Sequence, residues 1–147
     1  MLCTKAELHL DTGNSRGVAT AEKVLAVVAR MADDSPEPQQ RAWVGVLEAR
    51  ARMFRRDWDG ALNMLKTARG GLVAAQQLCD CLTEMARCYL ETARNEQARH
   101  AARDALDALP RGSGRVPALA ILAVLGEAVD CPGACATDAS DPAHPEK

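Results

Sequence analysis

At 147 residues the chain has room for one domain with a hydrophobic core and hardly for two. Its 18 basic and 20 acidic side chains leave a formal net charge of -2, so the basic footprint of a nucleic-acid binder is missing and nucleic acid is not an expected partner. Ala, Leu, Val and Arg dominate while aromatics make up 3%, which reads as helix throughout and excludes a strand-rich fold.

Breaks at Thr12-Gly13-Asn14-Ser15, Asp33 to Pro38, Arg55-Arg56-Asp57, Arg69-Gly70-Gly71, Arg94-Asn95 and Pro110 to Gly114 separate apolar-periodic runs. They predict seven helices, at 2–12, 17–32, 38–55, 58–69, 72–92, 95–109 and 115–129. Lys5 and Glu7 stand in the first turns with no apolar run of secretory length, so a cytoplasmic protein is expected. The apolar stretch Val116 to Ala128, broken only by Glu127, is too short to span a bilayer, which takes about 20 residues. Residues 130–147 have no apolar period and are predicted to form a disordered tail behind a helical domain at 1–129.

Six cysteines in a chain with no export signal predict reduced thiols, and Cys79, Cys81 and Cys88 fall in a helical stretch where Cys packs as a small hydrophobe. A metal site would have to combine Cys79-Asp80-Cys81 with Cys131 and Cys135. Cys-x-Cys in a helix sends its thiols to different faces, so no metal or other cofactor is expected. His9, His100 and His144 are scattered, no nucleophile stands in a recognisable signature and there is no Gly-rich phosphate cradle, so the chain is expected not to be an enzyme.

Internal repetition is the informative signal. Leu82, Met85, Ala86, Tyr89, Ala98, Ala102, Ala105 and Pro110 recur at the offsets of a tetratricopeptide repeat. Ala49, Trp58, Ala61, Leu65 and Ala68 take equivalent places in the preceding pair, with Asp57-Trp58 in the turn. There Glu48 and Arg52 replace large apolar residues, which suggests a one-residue shift of helix 38–55, and Arg56 replaces the usual turn glycine. The first pair keeps Ala6, Gly13 and Asn14, then reaches Ala21, Leu25 and Val28 after a turn longer than the 34-residue repeat has. The chain to about Val129 thus resembles an all-α tetratricopeptide protein, an α-solenoid of three degenerate helix pairs with a C-terminal capping helix.

In such repeats the first helix of each pair lines a concave, partner-binding groove. That places Glu7 and Leu10, then Trp43, Val46, Arg50 and Met53, then Thr83, Arg87 and Leu90 on the groove. Trp43, Val46 and Met53 with two arginines suit a partner's amphipathic helix with acidic flanks; the alternative is that Trp43 and Met53 are core residues. Repeats that clamp a terminal carboxylate carry Lys and Asn where Val46, Arg50, Thr83 and Arg87 stand, so an internal apolar segment fits better. The last helix leaves almost no polar face. Either it folds into the groove, or Val116, Leu119, Leu122 and Leu125 are a second interface, for a second chain or a homodimer.

The Ala6-Glu7-Leu8 opening with Gly13 and a lengthened turn before Ala21-Glu22, the Asp57-Trp58-Asp59-Gly60-Ala61-Leu62 turn, and the closing apolar helix are similar to the layout of small bacterial type III secretion chaperones of the needle-subunit type. The resemblance implies a cytosolic chaperone that buries the amphipathic C-terminal helix of a needle subunit in its groove, with a small co-chaperone outside. The other reading is a scaffold or regulatory tetratricopeptide protein with a different partner.

Overall fold

The structure, a computed structural model, describes residues 2–11, 14–34 and 37–127. Seven α-helices follow one another: α1 (Leu2–Asp11), α2 (Ser15–Asp33), α3 (Pro38–Phe54), α4 (Trp58–Arg69), α5 (Ala75–Glu91), α6 (Asn95–Ala108) and α7 (Val116–Val124). A single 3-10 turn, Ser113–Arg115, leads into α7, and the described residues contain no strand. Among the described residues no helix is long and apolar enough to cross a membrane. The expected tail at 130–147 lies outside the described residues.

The helix ends follow from capping chemistry. Pro38 opens α3, where its missing N–H costs no hydrogen bond. Asp57 caps α4 by accepting from the Gly60 N–H at 3.1 Å, and Asn14 does the same for α2 from the Gly17 N–H at 2.7 Å. The C-termini of α3, α5 and α7 share one motif. The Asp57, Arg94 and Glu127 amides reach back to the Arg52, Tyr89 and Leu122 carbonyls at 3.0, 2.8 and 3.0 Å, around a left-handed residue at Arg56, Ala93 or Gly126.

Two of those left-handed positions carry a side chain, with φ of 61° at Arg56 and 60° at Ala93. A Cβ there costs about 1–2 kcal/mol, part of which glycine returns through its larger unfolded-state entropy. Arg56→Gly is therefore expected to stabilise the fold by about 1 kcal/mol, read as a higher urea midpoint at unchanged slope. A lower midpoint would show that the Arg56 side chain contributes more than its backbone costs.

The observed ends correct three expectations. Helix α2 begins at Ser15, because Asn14 caps it. Helix α5 begins at Ala75 rather than 72: Leu72 is buried as a loop residue behind the Gly70-Gly71 turn, and its apolarity serves packing outside the helix. Helix α7 stops at Val124, because Gly126 turns left-handed (φ 79°) and closes the C-terminal motif; positions 128 and 129 of the expected helix lie outside the described residues.

Each helix packs on its neighbours in sequence, and α1 also meets α3, α3 meets α5 and α5 meets α7. The even helices make no comparable contact with one another. The odd row is therefore the more closely packed one. Alanines set this spacing: Ala49, Ala61, Ala86, Ala98, Ala102 and Ala105 are fully buried in one cluster spanning α3 to α7, where small side chains let the axes approach. Ala6, Leu10, Ala21, Leu25, Leu47 and Ala51 form a second cluster under α1. In α3 Leu47 and Ala51 are among the buried residues, each one place before Glu48 and Arg52.

Cys79, Cys81 and Cys88 are fully buried free thiols, and burial pushes the last two up to about 12. Cys81 donates to the Leu65 carbonyl at 3.5 Å, tying α5 to α4. No group of His, Cys, Asp and Glu among the described residues is arranged to hold a metal; Cys131 and Cys135 lie outside them. A maleimide pulse on the native protein is expected to label half-buried Cys3 and spare these three, as read by peptide mass mapping. Native-state labelling of Cys81 would mean that α4 and α5 separate without global unfolding.

Candidate functional site

Three adjoining hollows lie along the odd-numbered helices. One of about 310 Å³ is lined by Glu7 and Asp11 of α1, Trp43, Val46 and Arg50 of α3, Asp80, Thr83, Glu84 and Arg87 of α5, and Pro117 of α7. A second, about 220 Å³, takes Arg50, Met53, Phe54, Trp58, Glu84 and Arg87. The third, about 310 Å³, continues over Met53, Trp58, Arg87, Leu90 and Glu91 to Pro117, Ala120, Ile121 and Val124. Shared walls at Arg50, Glu84, Arg87, Met53, Trp58 and Pro117 make these one concave surface.

Of the residues expected on the groove, Glu7, Trp43, Arg50, Met53, Arg87 and Leu90 line it with side chains that solvent reaches. Three others are buried. Leu10, 1% exposed, is a core residue between α1, α2 and α3, because the apolar face of so short a helix is used up in packing. Val46 and Thr83, 0% and 3% exposed, form the closed floor, and the Thr83 hydroxyl donates to the Cys79 carbonyl of its own helix at 2.8 Å. Trp43 is both things: it packs on two core clusters, while its Nε1 donates to Glu7 Oε1 at 2.7 Å at the groove wall.

Asp11, Asp80, Glu84, Trp58 and Pro117 were not expected on the groove. Trp58 reads in sequence as a turn residue, and it does begin α4, yet it lines the surface together with Met53 and residues of α7. The acidic residues are legible only once the faces of α1 and α5 are fixed, when Asp80 and Glu84, one turn apart, turn inward together.

The two arginines of the surface are engaged within the chain. Arg50 pairs with Asp11 at 2.8 Å and lies 3.9 Å from Glu84, while Arg87 pairs with Glu84 at 3.0 Å. Both guanidinium groups are thus already taken up by carboxylates of this chain. Burial is the main influence on Glu84 and raises its pKa above the usual carboxylate value, against the opposing pull of Arg87 and Arg50. Burial also raises Asp80, against the hydrogen bond from Gln76 at 2.9 Å.

A carboxyl with a raised folded-state pKa holds its proton more tightly in the folded chain. The contribution of Glu84 to stability is therefore present at low pH and declines as the pH rises through the folded value. Glu84→Gln is expected to flatten that part of the stability–pH curve and to leave neutral-pH stability unchanged or higher, by urea titration at a series of pH values. A steeper loss on the alkaline side would mean that the ion pairs outweigh the burial cost.

The expected second interface divides in two. Leu122 is buried, Leu125 is half-buried against the main core cluster, and Leu119 is half-buried. Arg99 fixes the helix end through the Leu125 carbonyl at 3.2 Å and Glu127 at 2.9 Å, and Arg103 adds a second pair to Glu127. Val116 and Val124 remain 60% and 73% exposed, and Val124 continues the groove. A separate hollow of about 500 Å³ opens on another stripe of α3, over Pro38, Arg41, Gly45 and Met64.

Comparison of the chain with protein-family models, with curated proteins and with solved structures returns no match, so the reading of this surface rests on its residues and their geometry.

Proposed function

We propose that this chain is a protein-binding repeat module: an α-solenoid of three degenerate tetratricopeptide helix pairs, closed by α7, that holds a helix of a partner protein against α1, α3, α5 and α7 and performs no chemistry. One observation carries the reading: four helices far apart in sequence contribute to one concave surface that holds both tryptophans of the chain beside Met53, Leu90 and Val124. Aromatic and Met side chains half-open to solvent on a concave wall are the anchors of helix-in-groove recognition. The layout shared with needle-subunit chaperones makes a cytoplasmic chaperone of a type III secretion subunit the most specific form of the proposal. A scaffold or regulatory repeat protein is the alternative.

The test is to purify the tagged protein from its native host and identify bound chains by mass spectrometry. Stoichiometric recovery of one small helical subunit, lost on Trp58→Ala, supports the chaperone reading; recovery of a larger signalling protein instead supports the alternative. The exposed Val116 and Val124 favour a second arrangement, a dimer through α7, which light scattering of the purified chain decides.

A further inference from the structure

The concave surface has two chemically different ends. Toward α7 it is apolar, with Met53, Trp58, Leu90, Ala120 and Val124. Toward α1 it is acidic: Glu7, Asp11, Asp80 and Glu84 surround the cavity, while Glu91 lies at the α7 end. Four carboxylates stand toward α1 against the two guanidinium groups of Arg50 and Arg87, and both of those are paired with Asp11 or Glu84. Glu7, Asp80 and Glu91 join no ion pair among the described residues.

We infer that the groove selects a cationic amphipathic helix from another protein, whose apolar stripe lies on the Met53–Trp58–Val124 end and whose Lys or Arg side chains reach the carboxylates between α1 and α5. This deepens the reading of the concave face as a helix-binding groove and rests on it. Charge complementarity gives an interface its selectivity by repelling wrong partners as much as by attracting the right one. A helix with acidic flanks would bring like charge onto Glu7, Asp80 and Glu84.

The C-terminal segment of this chain is a poor occupant for the same reason. Residues 128–147 carry Asp130, Asp138, Asp141 and Glu146 against Lys147 alone, four negative charges to one positive.

Both tryptophans of the chain line this surface, so their emission reports its occupancy directly. The experiment uses the full chain and two synthetic helical peptides with the same Leu and Met stripe, one flanked by lysines and one by glutamates, titrated at low salt and checked by calorimetry. The lysine peptide is expected to bind about tenfold or more tightly than its twin, a preference that shrinks with added salt. Glu84→Gln and Asp80→Asn, each verified as folded by circular dichroism, are expected to weaken the lysine peptide about tenfold together and leave the glutamate peptide unweakened. Glu96→Gln, an exposed substitution on α6 away from the groove, should change neither.

Equal affinity for the two peptides, with both lost on Met53→Ala, overturns the inference and leaves the groove reading standing. Tighter binding of the glutamate peptide also overturns it and makes Arg50 and Arg87 the anchors. Failure of the folded chain to bind either peptide, or a dimer that closes the groove, removes the inference and the groove reading together.

Discussion

Leu65→Ala is expected to lower the unfolding free energy by about 2–5 kcal/mol, the range for truncating a fully buried leucine. Leu65 has no exposed surface and lies in the main cluster, on a helix clasped between α3 and α5. Its surroundings resist collapse. The Leu65 carbonyl is held by Cys81, and the alanines at 61, 86 and 98 have no side-chain length with which to refill a void. Against a typical total of about 5–15 kcal/mol, such a loss lowers Tm by on the order of 10 °C. Leu8→Ala, at a 66% exposed site, is expected to change stability by under about 0.5 kcal/mol. Denaturant titration with an unchanged slope checks both. A loss under about 1 kcal/mol at Leu65 would show that α4 packs far more loosely than its burial implies.

The elements were legible in this sequence because helix punctuation is local. Pro38, Asp57 and Asn95 each mark a start that the structure keeps, and all seven helices are present. What was not legible depends on tertiary choice. Leu72 looks like a helical apolar residue and is a loop plug; Gly126 looks like one more small residue in an apolar helix and is its left-handed stop. Arg56 and Ala93 hold equivalent left-handed positions without the glycine that would announce them.

The site divides along the same line. Repeat offsets brought Glu7, Trp43, Arg50, Met53, Arg87 and Leu90 to one surface, since position along a helix fixes its face. They misjudged depth: Leu10, Val46 and Thr83 share that face but are sealed by neighbouring helices. They also left out the carboxylates. Two arginines stand out in a list of candidate positions, whereas Asp11, Asp80 and Glu84 enter only when α1, α3 and α5 are brought side by side.

Trp58→Ala is expected to weaken binding of the partner chain by about thirtyfold or more, the effect of losing a central aromatic anchor worth roughly 2 kcal/mol. Trp58 begins α4 behind the Asp57 cap, so its backbone position does not depend on its ring. Trp58 is half-buried and lines two of the hollows, with Met53 of α3 in both and Pro117 of α7 in one. No other large apolar side chain borders both hollows except Met53, which is flexible and adapts its shape, whereas indole offers a rigid area at low entropic cost. The same truncation removes some packing on the main cluster, so affinity must be measured by calorimetry well below the variant's Tm. Trp58→Phe, which keeps most of the apolar bulk, is expected to retain most of the affinity. If Trp58→Ala lowers Tm but holds affinity within about threefold, Trp58 is a packing residue and the partner does not reach the junction of α3, α4 and α7.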